Sequence, residues 1–274
     1  MLGRIFKIND ITFKKALITF FIISLIGIAF QIADFVLLAL NISSIILRLI
    51  LSIAGLVLII YILKVRLKTT ILKSIGLYIS SIIFAVCFAL LIRIYIVQPV
   101  RLPANSLKPT ILNDERVLIN KLSYSTADPR PGDMVLFLGP EDPSKRYLKR
   151  IIGVEGDKIE MKNGVLFINN NQVQLKKLGT YKDDSIENAE EYIESLGKTS
   201  YHILDENNFN DNFGPITVPE NSLSVLGDNR DNSFDSRYFG FVDKAIVKGK
   251  AVMIIWSLDK NNSKVRWSRI GKSL

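Results

Sequence analysis

Ser74-Ile-Gly-Leu-Tyr-Ile-Ser-Ser-Ile-Ile-Phe-Ala-Val-Cys-Phe-Ala-Leu-Leu-Ile-Arg-Ile-Tyr-Ile-Val-Gln-Pro99 decides how this chain is built. About 20 consecutive apolar residues cover the hydrocarbon layer of a bilayer, and Ser74 to Val97 supplies that length with one charge, Arg93, near its end. Beyond Pro99 the continuous apolar run gives way to short alternating segments separated by Gly, Pro, Asn and Asp, the pattern of strands. The expected fold class is N-terminal transmembrane helices, residues 1–98, followed by a mainly antiparallel β extracytoplasmic domain, residues 99–274.

Working back toward the N-terminus, the same length criterion gives two more spans, about 16–40 and 45–63, with Asn41 to Ser44 as the turn between them. Lys14 and Lys15 precede the first span, and Lys64, Arg66, Lys68 and Lys73 fill the loop between the second and third. Such clusters mark cytoplasmic loops. Three crossings from that start put everything after Pro99 outside the inner (plasma) membrane. Through position 100, ten Lys and Arg against two acids carry +8 of the chain's +9. The excess belongs to the membrane part, so the lipid bilayer is an expected partner and a nucleic acid is not. A cleaved leader is not expected, because no small-x-small site follows Ala16 to Phe30. Arg48 and Arg93 sit near span ends, where long side chains reach the interface. Cys87, mid-span, reads as a small buried apolar residue. Asp34 has no assigned role.

In the second part, candidate strands are Val117–Asn120, Met134–Leu138, Tyr147–Ile152, Lys158–Met161, Val165–Ile168, Gln172–Leu175, Leu223–Leu226 and Ala245–Trp256. Asn163-Gly164 and Asn169 to Asn171 read as hairpin turns. So many short strands at close spacing predict antiparallel pairing, not βαβ units. Residues 176–221 are polar and acidic, with Ile186, Ala189, Ile193 and Leu196 at helical spacing and Gly197 as a stop, which predicts a small α+β insertion.

One histidine, His202, and one cysteine, Cys87, leave no comfortable way to build a Ser/His/Asp triad, a Cys/His zinc site or a disulfide framework. Asp228 onward fails as a calcium loop, since Arg230 falls on the third ligand position. Gly197-Lys198-Thr199 lacks its phosphate-loop partner glycine, and Ser195-Leu-Gly-Lys198 has no K-T-G after it. No metal and no cofactor are expected.

Four segments carry chemistry: Leu102-Pro-Ala-Asn-Ser-Leu-Lys-Pro-Thr110, Arg130-Pro-Gly-Asp133, Tyr147-Leu-Lys-Arg-Ile-Ile-Gly-Val-Glu-Gly-Asp157 and Gly227-Asp-Asn-Arg-Asp-Asn-Ser-Phe-Asp-Ser-Arg237. Taken singly, Ser106 is either a turn residue or a nucleophile at the membrane surface. Lys149 and Arg150 are consecutive in an apolar strand, so their side chains take opposite faces. Either both are solvated on an edge strand, or one points inward. A buried lysine loses affinity for its proton, and its neutral amine can serve a serine hydroxyl as base. A drop of about three pKa units corresponds to roughly 4 kcal/mol.

In order and spacing the four segments resemble the bacterial type I signal peptidases, the membrane-bound serine/lysine endopeptidases that remove signal peptides. The likeness covers roughly Gln98 to Trp256 and is most specific in Tyr147–Asp157 and Gly227–Gly240. The resemblance implies that Ser106 is the nucleophile, Lys149 the general base and Ser233 the hydroxyl that orients the lysine. Arg150, Asp235 and Arg237 match charged residues that support the site by pairing, and Asp228 and Asn229 match the start of the same segment, as structural support. It implies an oxyanion donor in the Ser106 backbone N–H, while many members add a serine hydroxyl where this chain has Ala104; some have glycine there. Leu107 replaces the usual methionine, a swap of similar volume.

The expected function is cleavage of exported preproteins after a small residue, at an Ala-x-Ala-like site. The substrate would lie extended against a strand edge, and the protein would be monomeric, near the secretion translocon. Ala104 and the three-span anchor motivate an alternative, a weakly active or inactive paralogue that binds signal peptides or membrane partners.

Overall fold

A computed structural model of the chain describes residues 18–19, 21–27, 29–30, 45–68, 70–101, 105–125, 127–183, 185–206, 212–259 and 263–274. Two compact units divide it, 1–90 and 91–274. Two long helices are described, α1 (Ile45–Leu67) and α2 (Ile71–Tyr95). Ile59 and Leu63 of α1 pack with Ile23, Ile26, Leu77 and Tyr78. Among the described residues α2 is the one helix long and apolar enough to cross a membrane, and Phe84, Phe88, Leu90 and Leu91 along it are exposed.

The expected third span therefore falls on α2, shifted to end at Tyr95 because Val97 already belongs to strand β1 (Val97–Arg101). The residues of the expected second span form α1, but among the described residues the length-and-apolarity criterion is met by α2 and not by α1; Cys87 of α2, expected to be buried, is exposed. The first, about 16–40, lies largely outside the described residues, as do the Asn41–Ser44 turn and Asp34.

The second unit is built on a seven-stranded sheet in the order β1-β2-β14-β3-β4-β12-β13. Its other members are β2 (Arg116–Asn120), β3 (Met134–Leu138), β4 (Arg146–Val154), β12 (Ser222–Leu226), β13 (Val242–Asp243) and β14 (Val247–Trp256). Every neighbouring pair is antiparallel. Pro99 sits on edge strand β1, where a missing N–H is tolerated. Alternation assigns the two faces of β3 to different cores. Met134 and Leu136 pack with Val100, Leu107, Val117 and Leu148, whereas Val135 and Phe137 pack with Ile151, Leu223 and Val225. The sheet is covered on both sides, so its central strands read as continuous apolar runs.

A second sheet, β11-β5-β6-β7, is formed by β5 (Lys158–Lys162), β6 (Val165–Ile168), β7 (Asn171–Gln172) and β11 (Phe213–Thr217). Asn163 and Gly164 take φ of 48° and 72°, the left-handed pair a two-residue hairpin turn requires. The expected strand Gln172–Leu175 is broken at Val173, whose N–H bonds Leu166 O while the chain leaves to pair elsewhere. Ala245 lies in a 3-10 turn, and β14 begins two residues later.

Where the 176–221 insertion is described it holds strands, and Ile186–Leu196, expected as a helix, is one of them. Residues 174–205 form a three-stranded antiparallel sheet of β8 (Gln174–Asp183), β9 (Ile186–Leu196) and β10 (Thr199–Asp205). The ladder slips between Tyr181↔Ala189 and Asp183↔Ile186, three residues on β9 against two on β8. Such a bulge turns Ile186 and Ala189 to the same side, and both are buried. The Ile186–Ala189 step of the helical spacing is the imprint of that irregularity.

Candidate active site

β4 runs between β3 and β12; Arg146 at its start is exposed, whereas the two charges in its middle do not reach solvent. Lys149 and Arg150 are each 3% exposed, which excludes the solvated edge-strand reading. The two leave the strand on opposite faces and meet different partners from one segment, the loop 227–235 between β12 and the short helix α3 (Ser236–Phe239).

Arg150 donates from Nε and Nη2 to both carboxylate oxygens of Asp228, at 2.8 and 2.6 Å, and from Nη1 to Gly132 O at 2.8 Å. Its guanidinium also lies 4.1 Å from the Tyr201 ring centroid. A buried charge demands such complete pairing. The Arg130–Asp133 turn thus enters the site through the carbonyl of Gly132.

Lys149 Nζ donates to Ser233 Oγ at 2.8 Å. Burial pulls its pKa down from 10.5 to about 8; Asp235 and Asp228 oppose the shift and Arg237 adds to it. Asp235 is held below the usual carboxylate range, because hydrogen bonding and charge from Arg237, with help from Ser233 and Gly227 N–H, outweigh burial. Its two oxygens accept from Arg237 Nε and Nη2, both at 2.9 Å, and Oδ2 also accepts from Gly227 N at 3.0 Å. Asp235 is in addition the N-cap of α3. The cap, the ion pair and the loop closure use one carboxylate.

Ser106 lies in a 3-10 turn, Asn105–Leu107, whose Leu107 is anchored in the core. Its carbonyl accepts from Asn229 N at 3.1 Å. A Cβ built on Gly227 would stand 2.2 Å from Ser233 Oγ and 2.5 Å from Ser106 O. Gly227 is therefore where the Ser106 backbone and the Ser233 side chain converge, and only a residue without a side chain fits. Among the described residues no hydrogen bond joins Ser106 to Lys149; the two meet through Ser233 and the 227–229 backbone.

Ser106, Lys149, Ser233, Arg150, Asp228, Asn229, Asp235 and Arg237 are thus gathered round one loop, while Ala104 lies outside the described residues. His202, on β10, is exposed with Nδ1 2.6 Å from Glu191 and has no hydrogen bond to Ser106, Lys149 or Ser233 among the described residues. Three participants escape the sequence reading. Arg230 bonds Gly227 O from Nε at 3.2 Å and pairs with buried Glu194, which also accepts from the Tyr201 hydroxyl at 2.6 Å. Glu194 and Tyr201 are direct partners across β9 and β10, a pairing invisible once the segment is read as a helix. Among the described residues no group of His, Cys, Asp and Glu is placed to hold a metal ion. What the cluster offers is an amine whose neutral form is accessible close to neutral pH, beside the Ser233 hydroxyl, whose loop also holds the Ser106 turn. That is the equipment of a serine nucleophile with a lysine base.

Known proteins are similar to this chain over the region that holds these residues. The sequence model of the family described as Signal peptidase, peptidase S26 matches residues 75–256, which include every member of the cluster. Signal peptidase I P of Bacillus subtilis subsp. natto is 34% identical over 184 residues, covering 67% of this chain and 90% of that protein. Signal peptidase I of Rickettsia typhi is 34% identical over 218 residues, covering 69% and 81%. A crystal structure of a signal peptidase I from Enterococcus faecalis V583 aligns at 29% identity over 45% of this chain and 97% of that one, with a TM-score of 0.31. With two thirds of its length inside the family's pattern, this chain belongs to the signal peptidases, peptidase family S26.

Proposed function

We propose that this signal peptidase removes N-terminal signal peptides from exported preproteins with Ser106 as nucleophile and Lys149 as general base. The observation that carries the assignment is Lys149 itself, buried, hydrogen-bonded to Ser233 and with a pKa near 8. In its neutral form the amine takes the Ser106 hydroxyl proton as Oγ attacks the scissile carbonyl. The C–N bond then breaks, the lysine returns that proton to the leaving amine, and it next deprotonates the water that hydrolyses the ester. Ser233 and the Asp235–Arg237 pair hold the amine, and the Ser106 backbone N–H faces the developing oxyanion.

The anchor we assign is three spans, with residues 99–274 as the catalytic domain on the extracytoplasmic side. The Lys and Arg clusters of the sequence and the exposed apolar surface of α2 support it. The bilayer and signal-peptide-bearing preproteins are the partners.

Cleavage requires the neutral amine, so the rate of preprotein processing should rise with pH to a half-maximum near 8. At pH 7 it should stand about tenfold below its plateau. A profile flat from pH 5 to 9 would remove Lys149 as the base. Gly227→Ala should reduce kcat by about 10²-fold or more, since the new methyl displaces Ser106 and Ser233 together. Steady-state kinetics of that variant check it, and a kcat within threefold of wild type would show that Gly227 does not set the site.

A further inference from the structure

Lys108 stands two residues beyond Ser106 and is 3% exposed, so its ammonium needs a partner. That partner comes from the insertion. Asp183, at the β8–β9 turn, accepts from Lys108 Nζ at 2.5 Å, and Ser185 Oγ of the same turn is a second partner. Asp183 is fixed in its own right. Its Oδ2 also accepts from the Tyr181 hydroxyl at 3.0 Å, and its Oδ1 from the backbone N–H of Ser185 and Ile186 at 2.9 and 3.0 Å. Although burial opposes ionisation, the Lys108 hydrogen bond and those of Ser185 and Tyr181 keep the carboxyl below its usual range.

Besides the local bond from Ile111 N to Leu107 O, residues 106–108 are held from three directions: Ser106 O by Asn229 N, Leu107 in the core, and Lys108 by the hairpin. The first two belong to the sheet and the 227–235 loop, and the third to the insertion. Among the described residues Ser106 has no hydrogen bond to Lys149, so the placement of its hydroxyl depends on how these ties hold the turn.

We propose that the Lys108–Asp183 ion pair is a positioning device through which the β8–β10 insertion aims the Ser106 hydroxyl. The role rests on Ser106 being the nucleophile. A displacement of about 1 Å in a reacting atom lowers rates by up to about 10²-fold, and the pair touches no reacting atom.

The test uses the full-length protein in detergent with a purified preprotein, comparing wild type, Lys108→Met, Asp183→Asn, the double variant and Ser106→Ala. Each single substitution should lower kcat about tenfold, leave KM within twofold and keep the pH midpoint. The double variant should fall no further than the worse single, because both remove one interaction. Thermal melts identify any variant that fails to fold; if Lys108→Met does so, the isosteric Asp183→Asn decides. Folded single variants with kcat within twofold of wild type, or losses that multiply in the double, would overturn the positioning role. Full activity in Ser106→Ala would instead overturn the nucleophile assignment on which it rests.

Discussion

Lys149→Met is expected to lower preprotein cleavage by at least about 10³-fold at every pH, because the serine loses its base. The same substitution should make the folded protein more stable at neutral pH. The unfolded lysine binds its proton below 10.5 and the folded one only below about 8. Between those values the unfolded state holds more protons, so wild-type stability rises with pH across the window. Full stability is present above 10.5 and is lost as pH falls toward 8. The gap of about 2.5 units corresponds to about 3 kcal/mol, which methionine, of similar length and uncharged, does not forfeit. Thermal unfolding at pH 6.5 should therefore show a higher midpoint for Lys149→Met, with the difference closing above pH 10. Equal midpoints at both pH values would mean that Lys149 is not held against its charge.

Asp228→Ala should be the most destabilising change at the site. It leaves the Arg150 guanidinium, 3% exposed, without its carboxylate. Breaking a buried ion pair from one side costs about 3–5 kcal/mol, which in a domain of this size lowers the unfolding midpoint by roughly 10 °C. Removing both charges, as Arg150→Met with Asp228→Leu, should recover most of that loss, since the penalty belongs to the stranded charge. A drop below about 2 °C for Asp228→Ala would show that Arg150 finds another partner.

The central strands were legible because burial on both faces leaves continuous apolar runs. Met134–Leu138 and Val165–Ile168 lie where their composition predicts, and Asn163-Gly164 makes the expected turn. The Lys149-Arg150 dipeptide announced an anomaly but not its resolution. Alternation requires one inward charge, and the structure buries both by supplying a separate partner on each face. Ile186, Ala189, Ile193 and Leu196 predict a helix, whereas the structure makes a strand whose β-bulge brings Ile186 and Ala189, at i, i+3, to one side. With that strand misassigned, Glu194, Tyr201 and Asp183 had no visible link to the site. Lys108 was hidden for the same reason, since its partner lies 75 residues away and no local pattern connects them. The eight residues carried over from the family resemblance share one loop because Asp228, Asn229, Ser233, Asp235 and Arg237 come from one segment. Long-range pairing to β4 and to the Ser106 turn completes the set.

The most direct test of the account is cleavage of a purified preprotein by the detergent-solubilised protein beside its Ser106→Ala variant, with the product's new N-terminus sequenced. A single cut directly after a small residue is expected from the wild type and none from the variant. Wild-type protein that binds the preprotein and leaves it whole, or a Ser106→Ala variant that cuts at the wild-type rate, would contradict it.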